Sequence, residues 1–156
     1  GQIYLDRELF TSGFRPAIDI SRSVSRIGGA AQHPRIKEEA GRMKLDFLQF
    51  LELEVFTRFG ARLEASMEEA IARGRMLREI LKQDCLSPQP PIFMIAWLVG
   101  FNDGLFKNIP PEQLPARLEA LQRHVGSTTL TLDSPREQWS HAVARWLSSA
   151  PSVIQP

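Results

Sequence analysis

The pattern of apolar and polar positions changes period at Pro34. Before it, apolar residues alternate weakly over Gln2 to Leu5 and again over Ala17 to Ile20, with Asp6, Arg7, Ser12, Gly13 and Pro16 punctuating the stretch. Such alternation predicts two short strands. Two short strands alone are marginal in water, so they require a sheet or a partner chain beyond this sequence. After Pro34, which suits a first helical turn, Ile36, Ala40, Met43, Phe47 and Leu51 fall on one helical face. Leu45, Leu48, Val55, Phe56 and Phe59 fill a second face, and a helix apolar over so much of its circumference is expected between neighbours. Gly60 is expected to stop or kink this helix. Leu63, Met67, Ile71, Leu77 and Leu81 continue a narrower stripe, with Arg62, Glu64, Glu68, Glu69, Arg73, Arg75 and Lys82 on a wet side.

Ser87-Pro88-Gln89-Pro90-Pro91 breaks the pattern and introduces an apolar run, Ile92 to Phe106, read as a buried helix carrying Trp97. Pro110-Pro111 opens another helix, with Leu114, Leu118 and Leu121 at helical spacing. Gly126 to Ser134 is a loop or a stray strand. Pro135 then starts a last amphipathic helix with Trp139, Val143, Trp146 and Leu147, and Pro151 ends it. The sum is a mainly α chain, a bundle of about five helices with a short β-containing N-terminal arm.

Composition narrows the function classes. At 156 residues and 43% hydrophobic, the chain suffices for a real core and is expected to be soluble and globular. Its 19 basic and 18 acidic side chains leave a formal charge of +1, too little to hold nucleic acid or an anionic membrane. Cys85 has no partner for an internal disulfide and is expected to be a small, partly buried apolar residue. The run Pro91 to Phe106 is too short to span a bilayer and contains Asn102 and Asp103. No secretion signal is visible, and an opening without an initiator methionine suggests a piece of a longer protein.

Most familiar catalytic patterns are missing. Nothing matches GxxxxGK[ST], so a self-sufficient phosphate-loop ATPase is excluded. His33, His124 and His141 lack metal-ligand spacing and read as surface or cap histidines, and no metal site is expected. Ser23 and Ser25 have no base arranged near them, while Glu38-Glu39 and Glu68-Glu69 read as solvated pairs. What remains is Ser21 to Gln32, SRSVSRIGGAAQ, where Arg26 stands beside Gly28-Gly29. Glycines let the backbone turn tightly, and a guanidinium is a permanently charged fork suited to phosphate oxygens. By itself the motif is a weak signal and more often describes a solvated loop arginine.

The stretch GQIYLDRELFTSGFRPAIDISRSVSRIGGAAQ resembles the part of the F-type ATP synthase alpha subunit that closes its nucleotide-binding domain and enters its C-terminal helical domain. The likeness continues more loosely through GRMKLDFLQFLELEVFTRFGARLEASMEEAIARGRMLREILKQ and ends near Ser87-Pro88. The resemblance implies that residues 1–33 end the nucleotide-binding domain and that 34–156 form the helical domain. It makes Arg26 an arginine finger for the neighbouring beta subunit's catalytic site, with Val24 and Ser25 lining that interface. Arg15, Pro16 and Gln83 would border the adenine pocket of the alpha subunit's own non-catalytic nucleotide. Two departures stand out: Cys85 replaces a glutamine, weakening the adenine contact, and Leu51 replaces an arginine. Together with the altered tail they suggest a divergent, alternate F-type ATPase of the sodium-translocating kind.

The resemblance further implies ATP or ADP with Mg as ligands of the intact complex and none in the isolated fragment. Its partners would be the beta subunit and the gamma subunit of the central stalk, with the complex peripheral on the cytoplasmic face of the bacterial inner membrane. Exposed strands and an apolar helix face predict that the isolated fragment self-associates. The alternative is a non-catalytic helical interaction module in which Arg26 is merely structural.

Overall fold

Most helices begin where a proline or a short polar acceptor lets the chain turn. Asp6 accepts the Leu9 amide and opens α1, Arg7–Thr11. A turn of Gly28–Ala31 forms α2, and His33 caps α3, Pro34–Ala40, by accepting the Arg35 amide at Nδ1. The computed structural model describes residues 1–58 and 64–149, which belong to two compact units, Gly1–Pro88 and Gln89–Pro156. The first unit continues with α4, Met43–Arg58, and α5, Ala65–Ile80; the second holds α6, Pro91–Asn102, a single 3-10 turn at Pro111–Gln113, α7, Leu114–Gly126, and α8, Arg136–Ser149. The chain is therefore helical, as expected. It has more helices than the pattern predicted, because α1 and α2 are single turns and the helix from Pro34 is interrupted at Gly41-Arg42.

The N-terminal arm departs from the alternation pattern. Instead of strands, the described residues hold isolated antiparallel bridges, Gln2 with Val24 and Leu5 with Ile18. Asp6 donates its amide to the Ala17 carbonyl at 2.8 Å, and Asp19 donates to Tyr4 at 2.9 Å. Between these pairs, α1 and the turns around Gly13 and Pro16 take the chain out of extended geometry. Phe14 and Ala17 are the buried residues of the arm.

In the first unit α4 packs along α5. Phe47 and Phe50 of α4 and Ile71, Leu77 and Ile80 of α5 are all buried, and Gly74 lets the helices approach. A Cβ at Gly74 would lie 2.0 Å from Cγ of Phe50, so glycine is required there. Arg78 grips both carboxylate oxygens of Glu54 at 2.9 and 2.6 Å and lies 4.6 Å over the Phe50 ring. Arg73 pairs with Asp46 at 3.3 Å, so part of the expected wet face joins the two helices. The expectation that α4 lies between neighbours fails within this chain, since Leu45, Val55 and Phe56 are exposed. Glu39 is buried, against its expected solvation, and Cys85 is exposed rather than partly buried. Phe59, Gly60, Arg62, Leu63 and Pro151 lie outside the described residues.

The second unit is built on α6, whose residues from Ile95 to Phe101 are all buried. Its end is sharply made: Gly104 adopts φ +72°, and Gly104 and Leu105 return their amides to Phe101 and Gly100. This Schellman geometry is one glycine reaches without strain. Leu114, Leu121 and Val125 of α7 and Trp139, Val143, Trp146 and Leu147 of α8 complete the core. The Trp139 indole donates to the Thr131 carbonyl at 3.1 Å, so even the largest side chain is satisfied in the interior. Asp103, just past α6, takes Arg136 at 2.7 Å and the Ser140 hydroxyl, tying it to α8. His124 stacks on Trp146 with centroids 5.6 Å apart. Gly126 to Ser134 is a loop from Ser127 onward.

Candidate functional site

The loop carrying Arg26 is fastened residue by residue. Asp19 accepts the amides of Ser21 and Arg22 at 2.9 and 3.1 Å as well as the Ser21 hydroxyl. These bonds, the Ser21 hydroxyl foremost, hold its carboxyl below the ordinary aspartate value against the opposing effect of burial. Arg22 lies 4.9 Å over the Tyr4 ring. Ser23 is held on two sides: its hydroxyl accepts the Tyr4 amide at 3.0 Å and its carbonyl accepts Lys44 Nζ at 3.2 Å. Val24 exchanges both backbone hydrogen bonds with Gln2, at 2.8 and 3.0 Å. Ser25 Oγ accepts the Gly28 amide at 2.9 Å and so caps the turn that follows.

Between these fixed points Arg26 itself is exposed and enters no ion pair among the described residues. A guanidinium in that position keeps its full charge and its fork of donors for a group brought from outside. Val24 and Ser25 immediately precede it, both exposed. Ser23 and Ser25 act as backbone fasteners.

The other sequence-derived residues form a second group. Gln83, just beyond α5, donates its amide to the Arg15 carbonyl at 2.9 Å, joining Arg15, Pro16 and Gln83 across a long span of sequence. All three are exposed. The Arg15 guanidinium lies 4.7 Å over the Phe10 ring, and the Gln83 side-chain amide donates to the Ser87 carbonyl at 2.7 Å. The Arg15-Pro16 peptide is cis. Cys85 is on the same exposed loop, before Leu86 at φ 58°.

Two contributors escaped the sequence reading. Phe10 lies within the stretch that carries the resemblance, but only the fold stacks Arg15 on it. Lys44 is one of four lysines in the chain, and nothing in its spacing points to Ser23. Among the described residues no group of three or more His, Cys, Asp or Glu is placed to hold a metal ion.

Residues 32–138 match the family model described as ATP synthase alpha/beta chain, C terminal domain. The chain is 56% identical over 147 residues to ATP synthase subunit alpha 1 of Legionella pneumophila (strain Paris), an alignment covering 94% of this chain and 30% of that protein. It is 52% identical over 150 residues to ATP synthase subunit alpha 1 of Hahella chejuensis (strain KCTC 2396), covering 96% and 30%. With ATP synthase subunit alpha 3 of Paraburkholderia xenovorans (strain LB400) it shares 40% identity over 158 residues, covering 95% and 30%. The chain thus spans about 30% of the length of these curated relatives. By the family match over most of its length and the alpha subunits it resembles, this protein belongs to the family of ATP synthase alpha and beta C-terminal domains, as the C-terminal region of an alpha subunit.

Proposed function

We propose that this chain serves a rotary F-type ATP synthase as the C-terminal part of its non-catalytic, regulatory alpha subunit, which lends Arg26 to the catalytic site of the neighbouring beta subunit. The observation that carries this reading is an exposed guanidinium, neutralised by no carboxylate among the described residues, on a loop fastened on both sides. Charge develops on the migrating phosphoryl group in transfer, and an arginine supplied by another subunit is worth about 10³ to 10⁵ in rate. Such a finger needs no further catalytic group on its own chain. Residues 1–33 would close the nucleotide-binding domain, in keeping with a family match that begins at residue 32. The helical remainder would pack beside beta subunits around the gamma subunit, on the cytoplasmic face of the bacterial inner membrane. No helix among the described residues is long and apolar enough to cross a membrane.

ATP or ADP with Mg would be bound by the intact complex. The joining of Arg15, Pro16 and Gln83 supports their bordering the alpha subunit's own adenine pocket, with Cys85 contributing little as a hydrogen-bond partner. Arg26→Ala in the assembled complex tests the finger: turnover should fall by about 10³ or more. Normal turnover rejects the role. Arg26→Lys should also be poor, because an ammonium lacks the two-pronged geometry. The same Arg26→Ala change should move the stability of this chain by no more than about 0.5 kcal/mol, as at an ordinary surface site. A clear loss of stability would favour the rival, an interaction module in which the arginine is structural.

A further inference from the structure

Lys44 sits on α4, twenty-one residues beyond Ser23, yet its ammonium donates to the Ser23 carbonyl at 3.2 Å. Among the hydrogen bonds that fasten the Arg26 loop, those of Tyr4 and Gln2 come from the arm itself and that of Ser25 is local. The lysine's bond instead comes from a long helix anchored by its packing on α5. A charged donor makes a stronger hydrogen bond than a neutral one, and a helix is a stiffer mount than a loop.

Resting on the finger reading above, we propose that Lys44 is a positioning residue for Arg26. Its hydrogen bond to the Ser23 carbonyl ties the loop to α4 and fixes where the guanidinium projects. The role is mechanical rather than electrostatic. The lysine touches no nucleotide, and its contribution to turnover passes entirely through Arg26. Small displacements of a positioned group are costly, with about 1 Å able to cost up to about a hundredfold in rate.

The test uses the full-length alpha subunit assembled with its beta and gamma partners. Lys44→Met should lower kcat for ATP hydrolysis by about tenfold and leave KM within about twofold, since positioning acts on the transition state. Lys44→Arg, which keeps a charged donor, should recover most of the loss. In an Arg26→Ala background Lys44→Met should add less than about twofold, because the group it positions is gone. Hydrogen exchange supplies a readout apart from activity: the Val24 amide should exchange faster in Lys44→Met. Wild-type kcat in Lys44→Met, losses that multiply in the double variant, or unchanged exchange at Val24 would each overturn the proposal. If Arg26→Ala cripples turnover while Lys44→Met does not, the positioning role alone falls. If Arg26→Ala leaves turnover intact, the finger reading falls first.

Discussion

The two units treat their apolar side chains in opposite ways. Every large apolar side chain left exposed among the described residues, from Ile3, Leu5 and Phe10 through Val24 and Ile27 to Leu45, Val55, Phe56 and Leu86, lies before Pro88. After Gln89, Trp139, Phe106, Ile95, Leu98 and Leu114 are all but inaccessible. The second unit closes a core of its own. The first satisfies its backbone and holds its loops in place, but leaves faces that water covers poorly. Isolated exposed apolar residues need no explanation, but a concentration of them on one unit marks surface made to be covered. The candidate site lies on that unfinished unit.

Four measurements probe this contrast, in descending order of effect. Trp139→Ala removes the fully buried centre of the second unit and should cost about 3–5 kcal/mol in denaturant unfolding. A loss below about 1 kcal/mol would mean that this core collapses around the gap and is less specific than its burial implies. In the first unit Gly74→Ala should cost about 2 kcal/mol even though alanine is the better helix former, because the added methyl meets the root of the Phe50 side chain. That aromatic group is not free to swing aside with Arg78 lying over its ring. Stabilisation by this change would show that the α4–α5 contact is loose.

Replacing exposed Val55 and Phe56 together by serine should alter folding stability by no more than about 0.5 kcal/mol per site while lowering self-association in light scattering. A wild-type protein that remains monomeric at high concentration would remove the premise. The smallest effect concerns Asp19. Its folded carboxyl is held down chiefly by the Ser21 hydroxyl, so its contribution to stability is complete above the ordinary aspartate value of about 3.9 and is lost as pH falls through its own lower midpoint. Carboxyl NMR should place that midpoint below the ordinary value, and Ser21→Ala should move it upward. An unshifted midpoint in the parent protein would show that the turn does not persist in solution.

Legibility followed the range of the forces at work. Pro34, Pro91, Pro111 and Pro135 act locally and mark helix starts well, and the unbroken apolar run after Pro91 gave a buried helix. The stripe Trp139, Val143, Trp146 and Leu147 is core as its spacing implied. The arm misled because alternation reports a preference for extended backbone and not the presence of a ladder. With few partners at hand, Gln2 and Leu5 form only single bridges. On α4, hydrophobicity does not tell faces covered within the molecule from faces left open, so Phe50 is unremarkable in the pattern while Leu45, Val55 and Phe56 read as interior. Asp6 carries a capping signal for α1 that so short a helix makes easy to overlook. Arg26 was visible as chemistry, but the joining of Gln83 to Arg15 and of Lys44 to Ser23 arises from tertiary folding, and no spacing encodes it.

The link from Gln83 to Arg15 runs through main-chain atoms. Such a stitch is indifferent to the identity of the residues along it, and only proline at position 83 would cut it. Side chains along both segments are therefore free to drift by ordinary point changes while the framework stays put. Cys85 is an instance: exposed on the loop just beyond Gln83, it can be exchanged without any cost to the architecture that holds it.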